Sequence, residues 1–324
     1  MGLTRREFIA GAACGVAAGV RGQEGAYPNR PVTLVIGGAA GGGLDAEARI
    51  ISDALVKQGG HPFNLELRPG AMGSIGATAA YRAKPDGYTL MLSPASPMVF
   101  NQLTHKTLTY DPAKLTPVIL VGEQPLVIVA RGDFPGETID DLVAYAKKNP
   151  GRTFYSSPGI GGGNHMSVLL LAKHHGIDVK HVPFPGASPA VQALLRGEVD
   201  FGVISASTIL PWYRDRKLKF FAMGAKERYR EAPAVPTFRE LGYPEEFVLT
   251  AWRVIVGPPG LPVDLVEAAN RMFNRAFADP QVRERFHALG LEVGGGSASD
   301  VAAMLKREAA TWARVAADNN IEKE

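Results

Sequence analysis

Short aliphatic runs alternate with amphipathic ones along most of this 324-residue chain, and no other feature restricts its fold as tightly. "PVTLVIG" (Pro31 to Gly37) reads as a buried strand, and the segment after it puts Ile50, Ile51, Ala54 and Leu55 on one helical face. "FNLEL", "YTLML", "PLVIVA", "TFYSS", "VKHVPF", "VDFGVI" and "LKFFAMG" are further strand candidates. Between and after them lie helical stripes, such as Ile139, Leu142, Val143 and Ala146, or Met304, Leu305, Ala309, Trp312 and Ala316. Thr138 with Asp141, Ser188-Pro189 and Asp279-Pro280 read as helix starts. Such alternation predicts an α/β fold with mostly parallel sheets, and the length suggests two domains. No long polar linker separates them, so the chain should cross on ordered segments near Leu120 to Ile128 and Phe247 to Val256. The mostly helical last quarter would then return to the first domain.

Two glycine-rich turns stand where a strand passes into a helix. "IGGAAGGGLDAEARI" (Ile36 to Ile50) is the first, and "YSSPGIGGGNHMSVLLLA" (Tyr155 to Ala172) repeats its design. Glycine loses the most entropy on ordering, so such runs imply that something approaches the backbone closely. A helix N-terminus offers unpaired N–H groups and about half a positive charge. Both turns fall at carboxyl ends of strands, where open α/β sheets form their pockets. The expected ligand is a small anion held by backbone, with Gly38, Ala39, Ala40, Gly41, Gly42 and Asp45 in the first loop and Ser157, Gly161, Gly162, Gly163 and Asn164 in the second.

Nucleotide readings compete with this one. A P-loop requires a lysine after the glycines, and neither run has one. "GGGLDA" (Gly41 to Ala46) does match a dinucleotide fingerprint, with Glu66 about 20 residues on. Gly41 comes late after the strand, however, and Asp45 would repel a pyrophosphate. An exported NAD(P)-dependent oxidoreductase is therefore the alternative function.

The N-terminus reads as an export signal. "TRREFIA" (Thr4 to Ala10) carries paired arginines, and "FIAGAACGVAAGV" (Phe8 to Val20) is an apolar core too short to span a bilayer. Residues 1–22 are expected to form a twin-arginine-type signal, with a general secretory signal as the other route, and to be cleaved after Gly22. Cleavage removes Cys14, the single cysteine, which excludes disulfides, thiolate metal sites and cysteine nucleophiles from the mature chain. The formal net charge of +3 and the lack of basic runs interleaved with aromatics exclude a nucleic-acid surface.

At this level of detail the sequence resembles a family, over nearly the whole mature chain. "YPNRPVTLVIG" (Tyr27 to Gly37), "GGGLDAEAR" (Gly41 to Arg49), "RPGAMGSIGA" (Arg68 to Ala77), "AKPDGYTL" (Ala83 to Leu90) and "YDPAKLTPV" (Tyr110 to Val118) are similar to motifs of the Bug family, the substrate-binding proteins of tripartite tricarboxylate transporters. "HVPFPGASPAVQALLRGEVD" (His181 to Asp200), "VPTFRELG" (Val235 to Gly242) and "GPPGLP" (Gly257 to Pro262) follow in the family's order. The resemblance implies a periplasmic two-lobed binding protein of type II-like fold, each lobe a mostly parallel sheet flanked by helices. Lobe 1 would comprise residues 28–122 and 252–324, and lobe 2 residues 123–251. It further implies a small carboxylate in the interlobe cleft, held by loop amides and water. On this reading Ser93, Phe184, Ser205 and Trp252 join the ligand-binding set. The chain departs from the family where prolines and an aromatic usually occupy Gly37 to Ala40, where Thr or Ser usually replaces Leu44, and where an Asp-Asn pair usually replaces Ile204 and Ser205.

Catalytic patterns are not evident. No H-x-x-x-H or H-E-x-x-H spacing occurs, and the serines of "SSPG" and "SAST" lack a nucleophile elbow. His165 could touch ligand, cap its loop or pack; Arg253 could be a surface residue or a clamp for a second carboxylate. The expected protein is a monomeric binding protein rather than an enzyme, without metal or cofactor, partnered by a membrane permease or by a receptor that senses its loaded state.

Overall fold

The computed structural model describes residues 27–323; the expected export signal, Cys14 included, lies outside the described residues. From the N-terminus run β1 (Thr33–Ile36), α1 (Gly43–Lys57), β2 (Asn64–Leu67), α2 (Ser74–Tyr81) and β3 (Thr89–Pro94). A wide helical turn over Ser96–Phe100 leads into the single-turn α3 (Asn101–Thr104). Then come β4 (Thr116–Arg131), α4 (Ile139–Lys148), β5 (Thr153–Ser157), α5 (Gly163–His175), β6 (Val179–Pro183), α6 (Ala187–Leu195), β7 (Phe201–Ser205), α7 (Ala206–Arg214) and β8 (Leu218–Met223). The chain closes with β9 (Thr250–Gly257), α8 (Val263–Ala278), α9 (Pro280–Ala288), β10 (Glu292–Gly295) and α10 (Ala298–Asp318).

Two parallel triplets lie at opposite ends of the strand order β2-β1-β3-β9-β4-β7-β5-β6. β1 pairs in parallel with β2 and β3, and β5 with β6 and β7. Between the triplets, β9 runs antiparallel to β3 and β4, and β4 runs antiparallel to β7 and β8. The sheets are thus mixed rather than mostly parallel. The reason is topological: a strand that leaves one sheet for the other enters its new neighbours from the opposite end. β4 is 16 residues long and belongs to both sheets, Thr116 to Pro125 pairing with β9 and Val127 to Arg131 with β8.

Burial on both faces explains the continuous aliphatic strands. Leu34 and Ile36 pack with Ile51, Leu55, Phe273 and Phe286, while Val35 between them faces the opposite cluster with Met91 and Ala77. Thr138 and Asp141 form a complete capping box on α4, and Asp279 caps α9 ahead of Pro280. Ser188 does not cap α6, which begins at Ala187 after Gly186 (φ +114°).

Candidate functional site

The two glycine turns have one geometry built twice. Gly41 and Gly161 take φ of +74° and +72°, which a side chain would strain. Gly42 and Gly162 follow at the N-cap positions of α1 and α5 with φ,ψ of −77°, 172° and −74°, 165°. In each turn the left-handed glycine donates its N–H to the side chain four residues on. Gly41 N reaches Asp45 Oδ2 at 2.8 Å, and Gly161 N reaches His165 Nδ1 at 2.9 Å.

These bonds give two of the expected residues a structural role. Asp45 is buried, holds Gly41 and pairs with Arg49 at 3.0 Å, so its charge is spent on the loop. The Gly41 amide and then Arg49 hold its carboxyl below the usual range. His165 likewise caps and packs. Burial, and then the neighbouring His181, push its pKa down to about 4. The two imidazoles stack 4.0 Å apart, and His181 Nε2 meets Ser157 Oγ at 2.7 Å. The Gly42 N–H is also consumed, donating to Ala39 O at 3.2 Å. What the turns leave for a ligand is the N–H groups of the first helical turn, which no helix can satisfy internally.

Those helix ends are bare by construction. Each helix that follows a strand of a parallel triplet with its own N-cap (α1, α2, α5, α6 and α7) lacks a side-chain cap bond. By contrast α4 and α10 carry full capping boxes and α9 an aspartate cap. Of the other positions expected to bind, Ser205 is the N-cap residue of α7 and half-buried. Ser157 is buried on Gly159 O and His181, and Asn164 donates to Val203 O at 2.7 Å. Ser93 turns its hydroxyl to Pro94 O, and Phe184 packs half-buried beside β7 and α6 residues. Gly38, Ala39, Ala40, Gly163 and the glycines named above form the loop backbones themselves.

Arg253 is neither a surface residue nor a free clamp. Its Nε lies 3.2 Å from Glu47 Oε1, and its other nitrogens donate to Ala251 O and Gln124 Oε1. Glu47 is buried, and desolvation pushes its pKa up to about 6 against the pull of Arg253. Trp252 is buried and directs its indole N–H to Glu308 on α10. It lines a cavity of about 650 Å³ between α10 and residues 245–252, whose walls include no residue of either glycine turn. Glu66, the ribose partner that the dinucleotide alternative calls for, is ion-paired to Arg68 at the surface.

Three neighbours of the second turn went unnoticed in the sequence. A Cβ placed on Gly161 would overlap Thr104, and one on Gly163 would come within 3.2 Å of Phe100. Met72 Cε stands 3.9 Å from the Cβ position of Gly162. The second turn is therefore apposed to the 71–73 and 100–104 segments of the other sheet's flank. Positive-φ glycines around Met72 in "RPGAMGSIGA" were the available signal. Among the described residues no cluster of three or more His, Cys, Asp or Glu side chains is arranged to hold a metal, and no helix is long and apolar enough to cross a membrane.

Residues 47–321 match the model of the tripartite tricarboxylate transporter family receptor. The Bordetella pertussis protein BugT is 31% identical over 97% of both chains. Among solved structures, a Rhodopseudomonas palustris protein with adipate superposes with a TM-score of 0.77 at 28% identity, covering 92% of this chain and 100% of that one. MatC from Rhodopseudomonas palustris, with bound malate, superposes with a TM-score of 0.72 at 33% identity, covering 90% of this chain and 100% of that one.

Proposed function

The chain belongs to the tripartite tricarboxylate transporter receptor family, and on that premise we propose that it captures a small organic carboxylate between two lobes and delivers it to a membrane transporter. The observation that carries this reading is the pair of matched, uncapped helix N-termini, one in each parallel half of the fold. Bare first-turn amides with a positive dipole end favour an anion. With Asp45 and Arg49 paired to each other, Arg253 paired to Glu47 and His165 neutral, recognition of the carboxylate falls to backbone. The relatives solved with adipate and malate support the ligand class.

We take residues 28–122 with 252–324 as lobe 1 and 123–251 as lobe 2, joined by the crossing of β4 and the approach to β9. The protein acts by binding, as a monomer, without catalysis. Its arginine-paired leader sends it to the periplasm and is removed there. A thermal-shift panel of small organic acids tests the reading. A ligand at 100 times its dissociation constant adds about 2.7 kcal/mol, enough to move the melting temperature visibly. At least one acid should stabilise the protein, and its neutral amide should not. Equal stabilisation by acid and amide would defeat the proposal.

A further inference from the structure

Four consecutive residues between β2 and α2 have positive φ: Gly70 at 117°, Ala71 at 46°, Met72 at 49° and Gly73 at 87°. For alanine and methionine this conformation costs about 1–2 kcal/mol each, so the surroundings must impose it. They do. The Asn101 side chain is fully buried and its Nδ2 donates to Met72 O at 3.3 Å and Ser74 Oγ at 2.7 Å. Gly73 closes the turn on Gly70 O at 2.9 Å, and a Cβ there would lie a tight 3.2 Å from Pro97. A rigid turn thus holds Met72 outward, 44% exposed, while its methyl reaches toward Gly162. Gly73 and Gly76 also back directly onto Gly37, where the first glycine turn begins. Met72 therefore projects from backbone that backs onto the first turn toward the second, from one half of the molecule toward the other.

We propose that Met72 is a specificity-determining residue whose thioether closes over the hydrocarbon part of a carboxylate held by the glycine turns, so that this protein prefers small acids with an apolar chain to short or hydroxylated ones. The proposal rests on the carboxylate reading above. A flexible, polarisable side chain adapts to apolar ligand surfaces without fixing their shape. Arg49 and Arg253 are already bonded to Asp45 and Glu47, and Arg68, just ahead of the Gly70–Gly73 turn, is paired with Glu66. No strong charge thus competes for the space that Met72 covers.

Calorimetric titration of the mature protein with acetate, butyrate, hexanoate and malate tests this. In the wild type, affinity should rise from acetate to hexanoate and exceed that for malate. Met72→Gly keeps the backbone conformation without strain, so it should fold at least as well, which a thermal melt verifies. It should lose about tenfold in hexanoate affinity and leave acetate unchanged, since each buried methylene contributes roughly fourfold. Met72→Leu should restore most of the hexanoate preference. An equal loss for every acid, no loss for any, or tighter wild-type binding of malate than of hexanoate would overturn the role of Met72 while leaving carboxylate capture standing. If the wild type binds none of these acids and the wider acid panel also fails, the carboxylate reading itself falls and this proposal with it.

Discussion

At His165 the imidazole serves the fold through one bare nitrogen. Nδ1 accepts the Gly161 N–H, which requires that nitrogen to be unprotonated, and burial against Tyr155 and His181 enforces the neutral ring. In the unfolded chain the ring takes its proton near pH 6.5, but in the fold only near 4. Between those values the unfolded chain binds more protons, so the contribution of His165 is complete above pH 6.5 and lost as pH falls toward 4. The amount is up to about 3 kcal/mol. Glu47 works in the opposite sense, because its raised pKa means that stability declines as pH rises from 4.5 to about 6. The two are separated by a variant. His165→Gln keeps an acceptor for Gly161 and removes the titration, so its melting temperature should fall less than that of the wild type between pH 7 and 4.5. Parallel curves for the two proteins would clear His165 of this role. None of this was readable from "GGGNHM", which left capping, packing and ligand contact equally open. The partner that decides among them, His181, comes from the next strand.

Helix N-termini divide by duty, and the division can be engineered. α4 and α10 are sealed by their own capping boxes, whereas α5 opens on Gly162, which has an ordinary extended conformation and room for a Cβ 3.9 Å from the Met72 methyl. Gly162→Asp should place a carboxylate where the anion is expected. It should stabilise the fold by no more than a few tenths of a kcal/mol as a new N-cap and weaken binding of the best acid tenfold or more. Loss of binding together with a lowered melting temperature would point to damage rather than competition, and unchanged binding would remove the α5 terminus from the site. The glycine turns, the Thr138 capping box and most strands were legible because their signals are local: spacing, a cap residue, a run of β-branched side chains. The antiparallel pairings were not, because the direction of β4 and β9 relative to their neighbours depends on which sheet the chain is leaving. Arg253 was equally opaque. Its partner Glu47 lies 206 residues away, and sequence alone shows an arginine beside a tryptophan, not the buried carboxylate it answers.

For the whole molecule the question is whether the halves move. Two glycines sit where the halves touch. A Cβ on Gly161 would overlap Thr104, and one on Gly290, after α9, would overlap Ser207 at the start of α7. Among the described residues the chain passes from one half to the other on β4 and near Leu249, where Leu126 N–H donates to Leu249 O at 2.9 Å. We propose that these two extended segments, bonded side by side, act as a hinge, since a few backbone angles can change without disturbing either core. We therefore expect small-angle scattering to show a more compact particle when a stabilising acid is added. Gly161→Ala should stay extended at saturating acid and bind roughly tenfold more weakly. Its methyl meets Thr104 only when the halves are together, and a left-handed alanine adds about 1 kcal/mol of strain. Thr104→Ala in the same background removes the overlapping methyl but not the strain, so compaction should return while affinity recovers in part. An unchanged radius for the wild type at saturating acid would mean that the halves do not close on ligand, and full closure of Gly161→Ala would mean that the contact at Thr104 does not limit them.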